Sequence, residues 1–380
     1  MLERLTREVQ PPLSIYIHWP WCIRKCPYCD FNSHEQGIDE QRYLAALERD
    51  LQTQSDWFAQ SRIESVFFGG GTPSLMSVAT VERILAKIQA SMRLDSDCEI
   101  TLEANPGALD CSRLAGYRQA GINRISIGVQ SFSEQSLQAL GRIHGRLDAV
   151  RAYDCAVEAG FQRINLDLMY GLPGQNLFLA LADLRLAIGL APEHISWYQL
   201  TIEPNTVFYR DRPVLPDEEI MECIDEEGRH LLETSGYRQY EVSAFSRAHP
   251  SRHNMNYWQF GDYLALGAGA HGKLSREGSV FRYQHTRMPG DYMSAMEQGR
   301  MPQLQEVAPD ERIREFFMNV LRLRNGVPLE YYQRSHMPLE RLLAAVESVP
   351  EDLLIKPEHS WCCTPRGYSL LNQVLMNLFA

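Results

Sequence analysis

The 380-residue chain is 44% hydrophobic and 22% charged, which excludes a disordered or fibrous sequence, and its length suits a large α/β unit with a smaller appended domain. A formal net charge of −11 disfavours nonspecific nucleic-acid binding, which draws on clustered Lys and Arg. Residues 1–10 mix charges without an apolar run, and no later stretch has the length of a membrane span, so cytoplasmic residence is expected.

From residue 14 to about 203, short β-branched or aromatic runs alternate with longer segments of helical apolar period, the pattern of stacked βα units. Strands are expected at 14–18, 65–69, 99–103, 124–128, 163–168 and 194–201. Between them run amphipathic helices, one capped by Asp39 and carrying Leu44, Leu47, Leu51 and Phe58, another carrying Val78, Val81, Ile84, Leu85 and Ile88. Such alternation implies parallel strands in an open doubly wound sheet or a barrel. The strand ends favour the barrel. A cysteine cluster follows the first strand, Gly69-Gly70-Gly71-Thr72-Pro73 the second, and Glu103 closes the third; Gln130, Asp167 and Glu203 sit at or after the next three. Polar or unusual residues at every C-terminal strand end are what a barrel with its site at that mouth presents. The expected fold class is therefore α/β, a partial (β/α)6 barrel over residues 1–237.

Pro204, Pro213 and Pro216 break the rhythm, and a helix is expected over about 217–234. Residues 238–300 read as an irregular connecting segment with short strands. Residues 301–380 read as a smaller, mainly helical domain with Ile313, Phe316, Phe317, Val320 and Leu321 on an apolar face and short strands near 353–356 and 361–364. That arrangement resembles a winged helix, but eight Lys or Arg against ten Asp or Glu in residues 301–380 leave no basic stripe for phosphates. Gly267-Ala268-Gly269-Ala270-His271-Gly272 matches G-x-G-x-x-G, yet the sequence after it reads as loop and strand where a dinucleotide site needs a helix.

Nine cysteines, an odd number in a long chain, argue for reduced thiols or metal ligands over a disulfide framework. Cys98, Cys111, Cys155, Cys223, Cys362 and Cys363 are scattered and read as buried inert thiols. Cys22, Cys26 and Cys29 form C-x-x-x-C-x-x-C on one short loop. Three thiolates on a four-iron cubane leave one iron open to a further ligand. The rival is a zinc site with His18 or His34 as fourth ligand, although zinc favours paired C-x-x-C spacing.

The cysteine loop followed by Gly69-Gly70-Gly71-Thr72-Pro73 resembles the radical S-adenosylmethionine (SAM) superfamily. More narrowly, Tyr16-Ile17-His18, Cys29-Asp30-Phe31-Asn32-Ser33-His34, Glu103-Ala104-Asn105-Pro106-Gly107, Arg124 to Phe132 and His253-Asn254-Met255-Asn256-Tyr257-Trp258 resemble its HemW heme-chaperone family, relatives of the HemN coproporphyrinogen III dehydrogenases. The resemblance implies a [4Fe-4S] cluster on Cys22, Cys26 and Cys29, with SAM on the open iron. It implies Gly70, Gly71 and Thr72 at the methionyl end of SAM, and Glu103, Gln130, Arg142 and Asp167 at its hydroxyl, carboxylate or adenosyl groups. Tyr16 and Tyr28 would flank the cofactor. His253, Asn254, Tyr257 and Trp258 would serve heme, with His249, His271 and His285 as rival imidazoles.

On that resemblance the chain binds heme and passes it to apo-heme proteins such as respiratory cytochromes, as a monomer or homodimer, with transient membrane contact possible during delivery. Binding and transfer would be the main task, on a scaffold competent for SAM cleavage. The rival is oxygen-independent oxidative decarboxylation of coproporphyrinogen III to protoporphyrinogen IX; methyl transfer and heme degradation match less well. Two departures oppose the dehydrogenase: its pattern resembles C-x-x-x-C-x-x-C-x-C, where this chain has Phe31, and it has a longer N-terminal arm than the thirteen residues before the first strand here.

Overall fold

The computed structural model describes residues 13–58, 61–355 and 357–379. The N-terminal arm, residues 1–12, and the Lys356 end of the expected 353–356 strand lie outside the described residues. Six parallel strands run side by side in chain order: β1 (Leu13–Trp19), β2 (Arg62–Gly70), β3 (Arg93–Ala104), β4 (Arg124–Gln130), β5 (Arg163–Tyr170) and β6 (His194–Gln199). Each expected strand is present, several longer than the sequence pattern indicates. The crossovers carry α1 (Glu40–Gln54), α2 (Val78–Ser91), α3 (Cys111–Ala120), α4 (Glu134–Ala139), α5 (Arg146–Glu158) and α6 (Leu177–Leu190). Asp39, Ser77 and Asn176 accept backbone N–H bonds at the starts of α1, α2 and α6, satisfying donors that a helix cannot satisfy itself.

Side chains of β1 and β2 that point outward, Ile15, Ile17, Val66 and Phe68, are fully buried against these helices. Each is worth about 1.5–3 kcal/mol relative to exposure. Short helix α7 (Val207–Asp211) and long helix α8 (Glu218–Thr234), capped by Asp217, follow β6.

The stretch expected as a connecting segment is instead built into the sheet, so the boundary near residue 237 does not separate two bodies. Strands β7 (Arg238–Glu241) and β8 (Ala244–Ser246) extend one edge, β8 pairing antiparallel with β6. Helix α9 (Arg252–Trp258) follows, and β9 (Asp262–Leu266) pairs parallel with β1 on the opposite edge. Strands β10 (His271–Arg276), β11 (Ser279–Gln284) and β12 (Gln305–Glu306), with α10 (Pro289–Glu297) between the last two, complete a sheet in the order β12-β11-β10-β9-β1-β2-β3-β4-β5-β6-β8-β7. The glycine-rich turn at 267–272 joins β9 to antiparallel β10 and opens no helix, as the sequence reading requires.

The C-terminal helices α11 (Pro309–Val320), α12 (Leu339–Val346), α13 (Pro365–Ser369) and α14 (Leu371–Phe379) surround a second core of Phe316, Phe317, Leu342 and Trp361. Phe260 and Val280 also enter this core, so the middle segment serves both units. A two-stranded ribbon, β13 (Val327–Pro328) with β14 (Ser360–Trp361), and a bridge between Leu354 and Cys363 stand where short strands were expected.

Two cysteine readings are corrected. Cys111 and Cys155 form a disulfide between α3 and α5, which pack on one face of the sheet, and Cys223 is exposed on α8. Among the described residues, no helix is long and apolar enough to cross a membrane.

Candidate functional site

The C-terminal strand ends open into a cavity of ≈ 520 Å³. Its wall at the mouth is the cysteine loop, pinned back on itself by Cys22 N–H to His34 O (2.9 Å) and His34 N–H to Pro20 O (2.8 Å). The glycine loop after β2 closes on the same segment: Gly71 N–H donates to Trp19 O at 2.7 Å and Thr72 N–H to Trp21 O at 2.8 Å. A Cβ on Gly71 would lie 2.5 Å from Trp21 O, and one on Gly70, whose φ is +113°, 2.6 Å from the His18 ring. Glycine is therefore required at both positions. Thr72 Oγ1 points at Cys22 Sγ (3.5 Å), and Arg142 reaches Cys26 Sγ (3.5 Å) and Gly128 O (2.7 Å).

These features fit a cluster better than a single zinc ion. Zinc favours four tetrahedral ligands, and the cavity lining offers three thiols, Cys22, Cys26 and Cys29, with no histidine among the described residues that line it. His18 is also engaged at both ring nitrogens, by Tyr16 Oη (3.0 Å) and Asn32 O (2.8 Å), and burial lowers its pKa to about 4. Burial pushes the Cys22 and Cys29 thiols up, a cost that cationic iron reverses on binding thiolate.

Deeper in the cavity, alternate residues of β3 to β6 point inward. Glu103 stands beside Ser126 in the register and Asp167 beside Ser196. Asp167 accepts from Ser126 Oγ at 2.8 Å and Asn165 Nδ2 at 2.9 Å, and burial nonetheless raises its pKa. Burial and the negative field of Asp167 push Glu103 to about 8, offset in part by the Gly70 N–H at 3.2 Å. Gln130 takes a positive φ of 67° at the end of β4 and accepts from Tyr198 Oη at 2.8 Å. The result is two carboxylates and several hydroxyls at one depth, a surface matched to a hydroxyl-bearing ligand.

Helix α9 floors the cavity, and its motif divides into two stripes. Asn254 and Trp258, four residues apart, face the cavity, and the Trp258 indole N–H has no partner among the described residues. His253 and Tyr257 face the barrel wall: His253 is 3% exposed, hydrogen-bonds Ser65 Oγ through Nδ1 (3.1 Å) and stacks on Phe67 at 4.5 Å, with its pKa lowered to about 3 by burial. An imidazole open to an iron, as the sequence suggested, is thus not what this structure presents at residue 253.

Of the residues assigned to cluster, SAM or heme by the resemblance, all line the cavity except Tyr16, His253 and Tyr257; Glu203, His18, His34 and the rival imidazoles His249, His271 and His285 do not line it either. Tyr16 stacks near Phe67 and His253 instead. Sequence reasoning missed Ser126, which period-two alternation back from Gln130 on β4 would have marked, and Ser196 and Tyr198, two residues apart on β6, where no inward-facing residue had been named to start the alternation. It also missed Glu241 and Ser243 from the β7–β8 hairpin, which carry no such signal, and Arg24 on the cysteine loop.

A barrel mouth with three cysteines, a glycine cradle and paired carboxylates defines a radical SAM protein, and the model of the radical SAM superfamily matches residues 16–184. The HemN C-terminal domain model matches residues 307–370. The chain is 45% identical to a protein of Haemophilus influenzae named heme chaperone HemW, over 96% of this chain and 97% of that one, and 44% identical to the Escherichia coli protein of that name, with the same shares. It is 35% identical to bovine mitochondrial radical S-adenosyl methionine domain-containing protein 1, covering 97% and 87%. The solved structure of E. coli coproporphyrinogen III oxidase HemN superposes with a TM-score of 0.82 over 100% of this chain and 92% of that one at 23% identity, a likeness of fold. The chain belongs to the HemW family of radical SAM proteins.

Proposed function

We propose that the chain is a heme chaperone that binds heme and transfers it to apo-heme proteins, respiratory cytochromes among them. The observation that carries this reading is similarity along nearly the whole chain to proteins named heme chaperone HemW, joined to Phe31 at the place where the dehydrogenase pattern has a further cysteine.

In this reading Cys22, Cys26 and Cys29 hold the [4Fe-4S] cluster. Gly70, Gly71 and Thr72 receive the methionyl end of SAM, whose hydroxyls are accepted by Glu103 and Asp167. Gln130 and Arg142 hold its remaining polar groups, with Tyr16 and Tyr28 at its flanks. Cluster and SAM together supply one-electron chemistry; the chain's own residues bind, orient and exclude water. Asn254 and Trp258 offer the floor of the cavity to a bound ligand, with His253 and Tyr257 holding that floor in place. The chain acts in the cytoplasm, as a monomer or homodimer, with transient membrane contact during delivery.

The alternative, decarboxylation of coproporphyrinogen III, shares the scaffold. The test is one anaerobic assay of the reconstituted protein with SAM and reductant, offered coproporphyrinogen III in one vessel and heme in another. Stable heme binding followed by transfer to an apo-cytochrome is expected. Protoporphyrinogen formation overturns the proposal.

A further inference from the structure

The position of the macrocycle follows from the size of the cavity and the chemistry of its rim, and the inference rests on the heme-binding reading above. Small-molecule pockets span roughly 300–1,000 Å³ for a single ligand. A cavity of ≈ 520 Å³ is in the lower half of that range, and in the reading above the cluster and SAM take their places in it first. A flat tetrapyrrole added to them would meet the rim.

The rim is unusual for a surface loop. Phe31 is 61% exposed at the lip of the cavity, two residues beyond Cys29, and Ile23, beside Cys22, is 52% exposed. Single exposed apolar side chains need no explanation, but Phe31 lines the opening of a cofactor site and Ile23 sits on the same cysteine loop. The Lys25 ammonium donates to Phe31 O at 3.0 Å and holds that backbone in place. Between them Arg24 makes no hydrogen bond or ion pair among the described residues. Arg24 lines both the cavity and an adjoining groove of ≈ 450 Å³ that also holds Ile143, itself 43% exposed. Apolar side chains around a free guanidinium complement a ligand with an apolar disc and peripheral carboxylates. In a chain of net charge −11 the free Arg24 guanidinium gives this rim a cation that can meet an anionic group.

We propose that heme docks across the mouth of the cavity, its ring against Phe31 and Ile23 and a propionate on Arg24. Phe31 is then a specificity-determining residue: it supplies an aromatic face in place of a fourth cysteine beside the cluster.

The test uses the full-length, cluster-reconstituted protein with SAM, titrated with heme and followed by absorbance. Phe31→Ala is expected to weaken heme binding about tenfold and Arg24→Glu about five- to tenfold, with iron content and SAM affinity unchanged. Phe31→Trp should retain binding. Heme dimethyl ester, with both propionates blocked, should bind the wild type as weakly as heme binds Arg24→Glu, and Arg24→Glu should weaken the ester no further. If Phe31→Ala disturbs the cluster, the Arg24 and ester pair carries the test alone. Wild-type heme affinity in Phe31→Ala and Arg24→Glu, with loss in Trp258→Ala, places heme in the lumen and overturns the inference. A wild-type protein that binds no heme overturns the chaperone reading as well, so the two failures are separable.

Discussion

Replacing Gly71 by alanine tests whether the glycine loop and the cysteine loop form one rigid unit. The new Cβ would stand 2.5 Å from Trp21 O and 2.8 Å from Trp21 C, against about 3.4 Å for an ordinary contact, so the two backbones must part by about 0.9 Å. Neither atom is the end of a flexible side chain. The movement strains Gly71 N–H to Trp19 O and Thr72 N–H to Trp21 O, each worth about 1 kcal/mol net, on top of about 1–3 kcal/mol for overpacking. Cys22 follows Trp21 directly and moves with it, whereas a binding constellation tolerates about 0.5 Å of displacement. Gly71→Ala should therefore lose cluster iron and SAM affinity together, with about 2–4 kcal/mol of stability. Iron content after anaerobic reconstitution, SAM binding by equilibrium dialysis and urea unfolding measure the three. Gly290→Ala, where nothing lies within 4 Å and φ is not positive, is the control and should be near neutral. Full iron and wild-type SAM affinity in Gly71→Ala would refute the argument.

Glu103 is held near 8 by burial and Asp167, so the folded protein without SAM binds this proton more tightly than the unfolded chain does. The stability this confers is complete below the ordinary carboxyl range and is lost as pH rises through about 8. Glu103→Gln should flatten that decline in thermal melts between pH 6 and 9 while weakening SAM binding. Asp50 is fully buried and accepts from Tyr292 Oη at 2.7 Å and Gly267 N–H at 3.3 Å, with His285 at 3.2 Å. Asp50→Ala strands the Tyr292 hydroxyl and the Gly267 N–H, leaving His285 with Ala265 O at 3.2 Å, and should cost about 3–5 kcal/mol in urea unfolding. Lys273, 0% exposed, pairs with Asp262 at 2.8 Å. Lys273→Met should cost about 3 kcal/mol, and adding Asp262→Asn should restore much of it, because the penalty is the stranded charge.

The six core strands were legible because their apolar runs are bounded by turn residues and recur at βα spacing. The cysteine loop was legible for a different reason: metal-ligand spacing is local and survives without knowledge of tertiary contacts. The sheet's extensions escaped for want of signal. Ala244–Ser246 has three residues, too few for a period, and the pairing of β9 with β1 joins residue 262 to residue 13, a contact no local pattern encodes. The disulfide hid in the same way, joining cysteines 44 residues apart through the packing of α3 near α5. The α9 motif was half legible. Residues 253 and 257 and residues 254 and 258 form equally good helical stripes, and only the surrounding Ser65 and Phe67 decide that the histidine stripe turns inward.

The C-terminal unit is a buttress of the site, and Arg322 is where this can be measured. Its guanidinium lies 4.3 Å over the Trp258 ring and donates to Glu241 Oε2 at 3.2 Å, and both partners line the cavity. Burial raises the Glu241 carboxyl, and Arg322 holds that rise in check. Arg322→Ala removes the check, so Glu241 moves further up and its ionised form becomes dearer in the folded state. Because a raised acid loses stability as pH climbs through its folded value, the deficit of Arg322→Ala against wild type should grow as pH climbs above the ordinary carboxyl range. It should reach about 3 kcal/mol in urea unfolding. Arg322→Lys keeps the charge without the planar stack and should fall between the two. A deficit independent of pH would mean that the loss is packing on Trp258 alone, and that the C-terminal unit does not set the charge at the cavity floor.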